Sequence, residues 1–320
     1  MRMAEPIVIA IDIGGTLSKY GFINRSGKIL FRGETETGTS ADPGDLVGRL
    51  SALFQEELLS STKYEAKGLG VGAPNANYFK GTVEQPANLN WKGVIPLAKL
   101  FEEKMSLPTV VTNDANAGAL GELYFGAGRG MSDFIFITLG TGLGSGIIVN
   151  GELVYGRHGF AGELGHVVII QHGRPCGCGR KGCLEQYCSA TGIVKTYFEI
   201  LRNDGRALPK ELPIEEINAE YIYHRALGGD EAAFYAFNYT GEMLGFALAN
   251  NVACLDPEAI FLFGGLAKAE ELIFNPVKIS FEKNLMNVYK GKVKILPSGL
   301  KDDEAALLGN SSIIWNKLKS

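Results

Sequence analysis

The stretch IVIAIDIGGTLSKYGFIN, Ile7 to Asn24, returns in altered form as DFIFITLGTGLGSGIIVNGELVYG, Asp133 to Gly156. Each opens on an apolar run that reads as a buried strand, breaks at clustered glycines and resumes as a second strand. Asn150-Gly151 in the later copy has the sequence of a type I′ hairpin turn. A glycine turn between strands can simply reverse the chain. It can also let several backbone N–H groups converge on a point that no side chain obstructs, which suits a phosphate. One such turn is weak evidence; two, each after an apolar strand, favour the chemical reading. In DIGGT, Asp12 to Thr16, the threonine adds a hydroxyl donor. Neither copy follows the common nucleotide fingerprints, since LGTGLGSG leads into a strand and no G-x-x-x-x-G-K-[ST] occurs. A third pair, Gly264-Gly265 in FLFGGLA, closes another apolar strand and reads either as a strand-end turn or as a close approach to a flat ligand.

Around these devices the chain reads as a mixed α/β protein. Strands are predicted at LSKYGFIN, GKILFRGE and AKGLGVGAP, and an amphipathic helix over 41–59, with Leu46, Leu50, Leu53, Phe54 and Leu58 at helical spacing. A loop rich in Gly, Pro and Asn, GTVEQPANLNWKG, precedes a helix at PLAKLFEEKM. A long helix from about Asp230 to Cys254 stops at Asp256-Pro257. Strand AIFLFGG follows, and a final helix from about Asp303 to Lys317. No linker or low-complexity segment separates the halves.

At 320 residues two domains are the default. With 46% hydrophobic and 21% charged residues the composition is globular, and a net charge of -4 offers no electrostatic footprint for nucleic acid. The opening MRMAEPIVIAIDIGG loosely mimics a signal peptide, but Asp12 interrupts the apolar run and no small-residue cleavage site follows. No apolar stretch reaches the length of a membrane span. The expectation is a cytoplasmic protein, with no nucleic-acid or membrane partner and its five cysteines reduced.

Three of those cysteines crowd into GELGHVVIIQHGRPCGCGRKGCLE, Gly162 to Glu185. Cys176, Cys178 and Cys183 with His166 offer three thiolates and an imidazole, the ligand set of a closed, structural zinc site. Glycines 177, 179 and 182 permit the tight turns that aim sulfurs inward, and Arg174, Arg180 and Lys181 would favour ionised thiols. The alternative is a set of buried, reduced cysteines. Cys188 competes as fourth ligand or is a small core residue, and Cys254 is most simply core. A zinc hydrolase would need an open coordination position and a motif such as HExxH, which is absent.

In TVVTNDANAGALGELYFGAG a β-branched strand runs into an alanine-rich helix, with Asn113 and Asp114 at the junction. Both are preferred N-caps. A carboxylate there also sits where α/β folds bind ligands. Both readings can hold, one for each residue. The helix N-terminus predicts a lowered pKa for Asp114.

DIGGT, NDANAGALGE, LGTGLGSGIIVNGELVYGRHGFAGELGH and CGCGRKGCLE, in this order, resemble the ROK family of sugar kinases and repressors, most of all its bacterial ATP-dependent glucokinases. The resemblance implies an actin-like, ribonuclease-H-like fold with two lobes around a cleft: 1–112 with 303–320 as the small lobe, 113–302 as the large lobe bearing the zinc segment. It implies phosphorylation of a hexose at its 6-hydroxyl by ATP, glucose first among fructose, mannose and the N-acetylhexosamines. Asp114 would accept the hydroxyl proton. Asn113, Glu163, His166 and Glu185 would hold other hydroxyls, and His166 would do so with the ring nitrogen that zinc leaves free. Asp12 would help position Mg2+. Gly14, Gly15, Thr16, Thr141 and Gly142 would hold phosphates, and Gly264 and Gly265 would lie near the adenosine. GAPNANYFKGTVEQPANLNWKG is similar to a loop that closes over the sugar. Leu17, Leu266 and GAPN depart from the family pattern and bear on nucleotide contacts and sugar preference. Part of the family carries a DNA-binding domain ahead of this core; with the first strand at about Ile7, a repressor or sugar sensor is not expected. The family likeness also implies a homodimer.

Overall fold

The structure, a computed structural model, describes residues 4–61, 63–86, 89–209, 213–302 and 304–319. Residue 303, where the sequence reading starts the last helix, and residues 87 and 88 of the sugar loop lie outside them. The chain begins with β1 (Glu5–Ile13), β2 (Leu17–Asn24), β3 (Ile29–Glu36), α1 (Pro43–Ser60) and β4 (Tyr64–Gly72). A small ribbon of β5 (Ala76–Asn77), β6 (Thr82–Glu84) and β7 (Val94–Ile95) leads to α2 (Leu97–Met105), β8 (Thr109–Thr112) and α3 (Asp114–Phe125). Then come β9 (Phe134–Leu139), β10 (Leu143–Val149), β11 (Glu152–Leu153), α4 (Ala190–Asn203), α5 (Ala219–Leu227) and α6 (Glu231–Leu255). The chain ends with β12 (Ala259–Phe263), α7 (Glu271–Asn284), β13 (Lys294–Pro297) and α8 (Ala305–Lys317). No helix among the described residues is long and apolar enough to cross a membrane.

Two compact units result: Met1–Gly130 with Leu153–Ala161 and Gly299–Ser320, and Met131–Glu152 with Gly162–Ser298. In the first, the sheet order is β3-β2-β1-β4-β8. β1, β2 and β3 form an antiparallel meander, while β4 and β8 run parallel to β1, so each is reached through a crossover that contains a helix, α1 or α2. β1 is covered on both faces, which is why it reads as an unbroken apolar run. Ile7, Ile9, Ile11 and Ile13 join Leu46, Leu50 and Phe54 of α1 in one core, and Ala10 meets Leu307 and Leu308 of α8 on the other side. Fully burying each isoleucine contributes roughly 1.5–3 kcal/mol.

Helix α8 lies close enough to require glycines: a Cβ at Gly309 would fall 1.6 Å from Ala117 O, and one at Gly70 1.8 Å from Asn310 O. Because α3 packs on α8 in this way, it belongs with the first unit. The units therefore part at 130/131, where the sequence reading put 112/113.

In the second unit the order is β11-β10-β9-β12-β13, with β9 and β10 antiparallel and β12 parallel to both β9 and β13. Asn150 and Gly151 both take positive φ, 53° and 76°, as the type I′ reading requires. Gly241 and Gly245 let α6 approach α7, where a Cβ at Gly245 would lie 2.4 Å from Val277 O. Asp230 caps α6 by accepting from the amides of Ala232 and Ala233. Cys254, expected in the core, is exposed near the end of that helix.

Candidate functional site

In the first unit, β1, β4 and β8 end level with one another, Asp12 pairing with Gly72 and Gly72 with Thr112. The alternation that turns Ile9, Ile11 and Ile13 toward α1 turns Ala10 and Asp12 toward the face that α8 covers. β1 then enters the first glycine turn. The Gly14 amide donates to Leu17 O at 3.0 Å, and a Cβ at Gly14 would lie 2.8 Å from that oxygen, so the tight turn needs glycine. Gly15 and Thr16 are exposed. Thr37, just past β3, braces the turn from beside it. Its amide donates to Thr16 O at 2.8 Å and its hydroxyl to Gly14 O at 2.7 Å. With that proton committed, the Thr37 hydroxyl accepts from buried Ser18 at 2.9 Å.

At the β8–α3 junction the two candidate residues divide the work. Asn113 is the cap, its Oδ1 accepting from the Asn116 amide at 2.7 Å, a bond worth about 1 kcal/mol. Asp114, the first helical residue, accepts from the Ala115 amide at 2.9 Å and keeps a solvent-reached carboxylate. The predicted lowering of its pKa does not hold. Protein crowds Asp114 on most sides, and the lost solvation raises its pKa despite the helix-terminal amides that pull it down. Asp12 is pushed up to about 6, first by burial and then by the charge of Asp114, with Lys19, its cross-strand partner, opposing. Two carboxylates close enough for the charge of Asp114 to raise the pKa of Asp12 suit a hard divalent cation such as magnesium, which takes oxygen ligands.

The second unit holds the other turn. Gly140 N–H donates to Gly142 O at 3.1 Å, and Thr141 is exposed. Gly264, at φ 99° and ψ 179°, is in a region open essentially to glycine alone, and a Cβ there would lie 2.8 Å from Leu139 O. The FGG segment is thereby laid against the start of the GTG turn. Between them and α5 opens a largely apolar pocket of 560 Å³, lined by Leu139, Gly140, Thr141, Gly265 and Leu266, by Asn218, Glu220 and Tyr223 at α5, and by Phe237 of α6. Its size and lining suit a flat heterocycle with a sugar attached.

In the same unit His166, Cys176, Cys178 and Cys183 come together, their ligand atoms all within 4.8 Å of one another. Cys176 Sγ lies 3.5 Å from His166 Nδ1, and Cys178 Sγ 3.6 Å from Cys183 Sγ. A tetrahedral zinc with bonds near 2.3 Å sets its sulfurs about 3.8 Å apart, so the four residues fit a structural zinc site. Burial opposes ionisation of Cys178, but hydrogen bonds from the Arg180 amide and side chain and from the two neighbouring thiols bring its pKa down to about 6. Arg174 does not serve the thiols. It forks onto Glu199, Thr196 and Gln186 O and covers the Tyr187 ring. Cys188 stands apart from the cluster, fully buried and donating to Thr240 O. Glu163 precedes the short 3₁₀ turn Leu164–His166, and its carbonyl accepts from the His166 amide. Glu185 Oε2 accepts from the Leu143 amide at 3.0 Å.

The sequence matches the ROK family over residues 8–317. The chain belongs to the ROK family. It is 35% identical over 292 residues to a glucokinase of Halalkalibacterium halodurans, covering 88% of this chain and 86% of that one. It is 32% identical over 315 residues to a glucokinase of Thermotoga maritima, covering 97% and 98%. A crystal structure of a ROK family glucokinase from Streptomyces griseus, in complex with glucose and AMPPNP, superposes with a TM-score of 0.79 at 32% identity, covering 96% and 98%. The mixed α/β architecture is the actin-like, ribonuclease-H-like fold of ROK sugar kinases.

Of the residues named from sequence, Asp12, Gly14, Gly15, Thr16, Asn113 and Asp114 fall in the first unit of this ROK chain. Thr141, Gly142, Glu163, His166, Cys176, Cys178, Cys183, Glu185, Gly264 and Gly265 fall in the second. The sequence reading missed the brace at Thr37 and the α5 wall of the pocket. Asn218, whose Oδ1 caps α5 by accepting from the Tyr221 amide, could have been found as a cap; nothing local marks Tyr223 as pocket-lining.

Proposed function

We propose that the protein transfers the γ-phosphoryl group of ATP to the 6-hydroxyl of a hexose, with glucose the preferred acceptor, giving glucose 6-phosphate and ADP. The observation that carries the reading is Asp114: Asn113 does the capping and leaves beside it a solvent-reached carboxylate of raised pKa at a strand's C-terminal end. The ROK glucokinase with bound glucose and AMPPNP supports the choice of substrates.

In this mechanism the 6-hydroxyl oxygen attacks the γ-phosphorus, its proton passes to an Asp114 oxygen, and the bond from that phosphorus to the β–γ bridging oxygen breaks to release ADP. Phosphoryl transfer asks chiefly for positioning and charge neutralisation, so a carboxylate suffices as base, and a raised pKa brings it nearer the working pH. Asn113 has committed Oδ1 to its cap, which leaves its NH2 to donate to a sugar oxygen. His166 turns Nδ1 toward the cysteines, so Nε2 is its contact with a sugar hydroxyl. Glu163 and the second oxygen of Glu185 accept from other hydroxyls. Gly14, Gly15 and Thr16 in one turn, and Thr141 and Gly142 in the other, hold phosphates. Gly264 and Gly265 lie along the adenosine, with the α5 pocket around its base. Asp12 would hold Mg2+, which when bound neutralises charge on the β- and γ-phosphates. The reading carries with it a cytoplasmic location, supported by the ATP substrate and the reduced thiols a zinc cluster needs, and a homodimer, supported by family likeness alone.

The test is an ADP-release assay with Mg-ATP over glucose, fructose, mannose, N-acetylglucosamine and N-acetylmannosamine, alongside Asp114→Asn. Glucose should give the highest kcat/KM, and the variant should bind glucose normally while losing about 10²–10⁴ in kcat. Turnover of none of these sugars, or full activity in Asp114→Asn, would overturn the assignment.

A further inference from the structure

The zinc cluster and the GTG turn are joined by one continuous segment. It leaves Cys183, makes the 3₁₀ turn Leu184–Gln186 and enters α4 at Ala190. Within it three groups grip the turn. Glu185 Oε2 accepts from the Leu143 amide at 3.0 Å, the Ala190 amide donates to Gly140 O at 2.8 Å, and the Thr191 hydroxyl donates to Thr141 O at 2.9 Å. The fit is tight, since a Cβ at Gly142 would lie 2.4 Å from Glu185 Oε2. The segment is itself held: Ser189 Oγ donates to Glu185 O at 2.7 Å, and Arg174, two residues before the first cysteine ligand, donates to Gln186 O at 2.6 Å and Gly192 O at 3.2 Å. The other Glu185 oxygen lies 4.0 Å from Cys176 Sγ.

We propose that Glu185 is a positioning residue through which the metal loop sets the shape of the donor-phosphate turn, so that the bound metal tunes nucleotide affinity as well as the direction of His166. The physical basis is a charge-assisted hydrogen bond from a backbone amide, whose direction is fixed by the carboxylate it points at. Cys183 is two residues from Glu185, so the place of the carboxylate is set where the loop is closed on its metal. Released from that closure, Glu185 no longer holds the Leu143 amide, and the Thr141 and Gly142 amides lose their alignment. This inference rests on the proposed nucleotide role of the turn.

The test uses the full chain and MgADP, without sugar, in calorimetry. Zinc-loaded protein is compared with protein stripped by a zinc chelator and desalted, after near-UV circular dichroism has shown that it remains folded. Stripping should weaken MgADP about tenfold, and zinc should restore it. Glu185→Ala in zinc-loaded protein should show a similar loss that stripping does not deepen. Glu185→Gln, whose amide oxygen still accepts from Leu143, should keep nearly full MgADP affinity. Thr191→Val, which removes the grip on Thr141 O together with the hydroxyl contact to Ser189 at 3.1 Å, should lose about threefold. Unchanged MgADP affinity on stripping, or losses from stripping and Glu185→Ala that simply multiply, would overturn the proposal while leaving the kinase reading intact. Failure of the zinc-loaded wild-type chain to bind MgADP would overturn both.

Discussion

The two glycine turns share a strand-turn-strand plan and differ in what holds them. The DIGGT turn is braced inside its own meander, by Thr37 at the end of the third strand and by Ser18 behind it. The GTG turn is gripped by a segment 42 residues further on that issues from a metal loop. The first also carries an acid, Asp12, at the end of its leading strand; at the matching place the second has Thr138, whose hydroxyl only accepts from the Gly144 amide. One turn is therefore complete once its hairpins form. The other depends on long-range packing and on the cluster behind it. A device of this second kind can be adjusted from a distance.

The largest effect expected from this contrast comes from the acid. Asp12→Asn should reduce kcat by about 10²–10³ if the carboxylate helps hold magnesium, and it should stabilise the magnesium-free protein. The sign follows from linkage. Asp12 titrates near 6 when folded and near 3.8 when not, so between those values the folded state binds more protons and stability falls as pH rises. Above about pH 6 the full penalty is present, about 3 kcal/mol at most. Wild type and Asp12→Asn should thus have similar stability near pH 4, with the variant ahead by a few °C at pH 8 in thermal melts without magnesium. Equal melting temperatures at pH 8 would show that Asp12 is not held at such a cost.

Gly142→Ala comes next. Its methyl group would enter the space of the Glu185 carboxylate, whereas a Cβ at Gly140, two residues before it, meets nothing within 4 Å. MgADP affinity should fall about tenfold in Gly142→Ala and stay within twofold of wild type in Gly140→Ala, read by calorimetry. If the two alanines behave alike, the grip of Glu185 does not shape the turn.

Much of this was legible in the sequence, for local reasons. Ile7–Asn24 and Asp133–Gly156 announce themselves because strand periodicity and glycine turns are written within a few residues, and the metal ligands lie within eighteen positions of one another. What escaped depends on burial and on contacts between distant segments. Asp114 stands out in the sequence, but the direction of its pKa shift read there is inverted, because a helix N-terminus can be read from sequence and the surrounding protein cannot. Arg174 reads as a partner for thiolates because it is near them in the chain, yet its guanidinium turns to Glu199 on α4. Helix α5 offers only Ile222 and Ala226 as buried positions, too short a pattern to mark it as a pocket wall.

The smallest effect should come from the brace of the first turn. Thr37→Val removes the hydroxyl that donates to Gly14 O and accepts from Ser18, but keeps the amide that donates to Thr16 O. It leaves the fully buried Ser18 hydroxyl without this partner, a change that costs about 1–3 kcal/mol of stability. Thr37→Ser, which preserves the hydroxyl, should recover most of that loss in urea unfolding. Nucleotide affinity should nevertheless change by less than about threefold, because the backbone bonds Thr37 N–H to Thr16 O and Gly14 N–H to Leu17 O still fix the turn. A loss of MgADP affinity in Thr37→Val as large as that in Gly142→Ala would mean that the first turn, too, is shaped by a side chain reaching in from outside, and the contrast between a self-contained turn and a borrowed one would disappear.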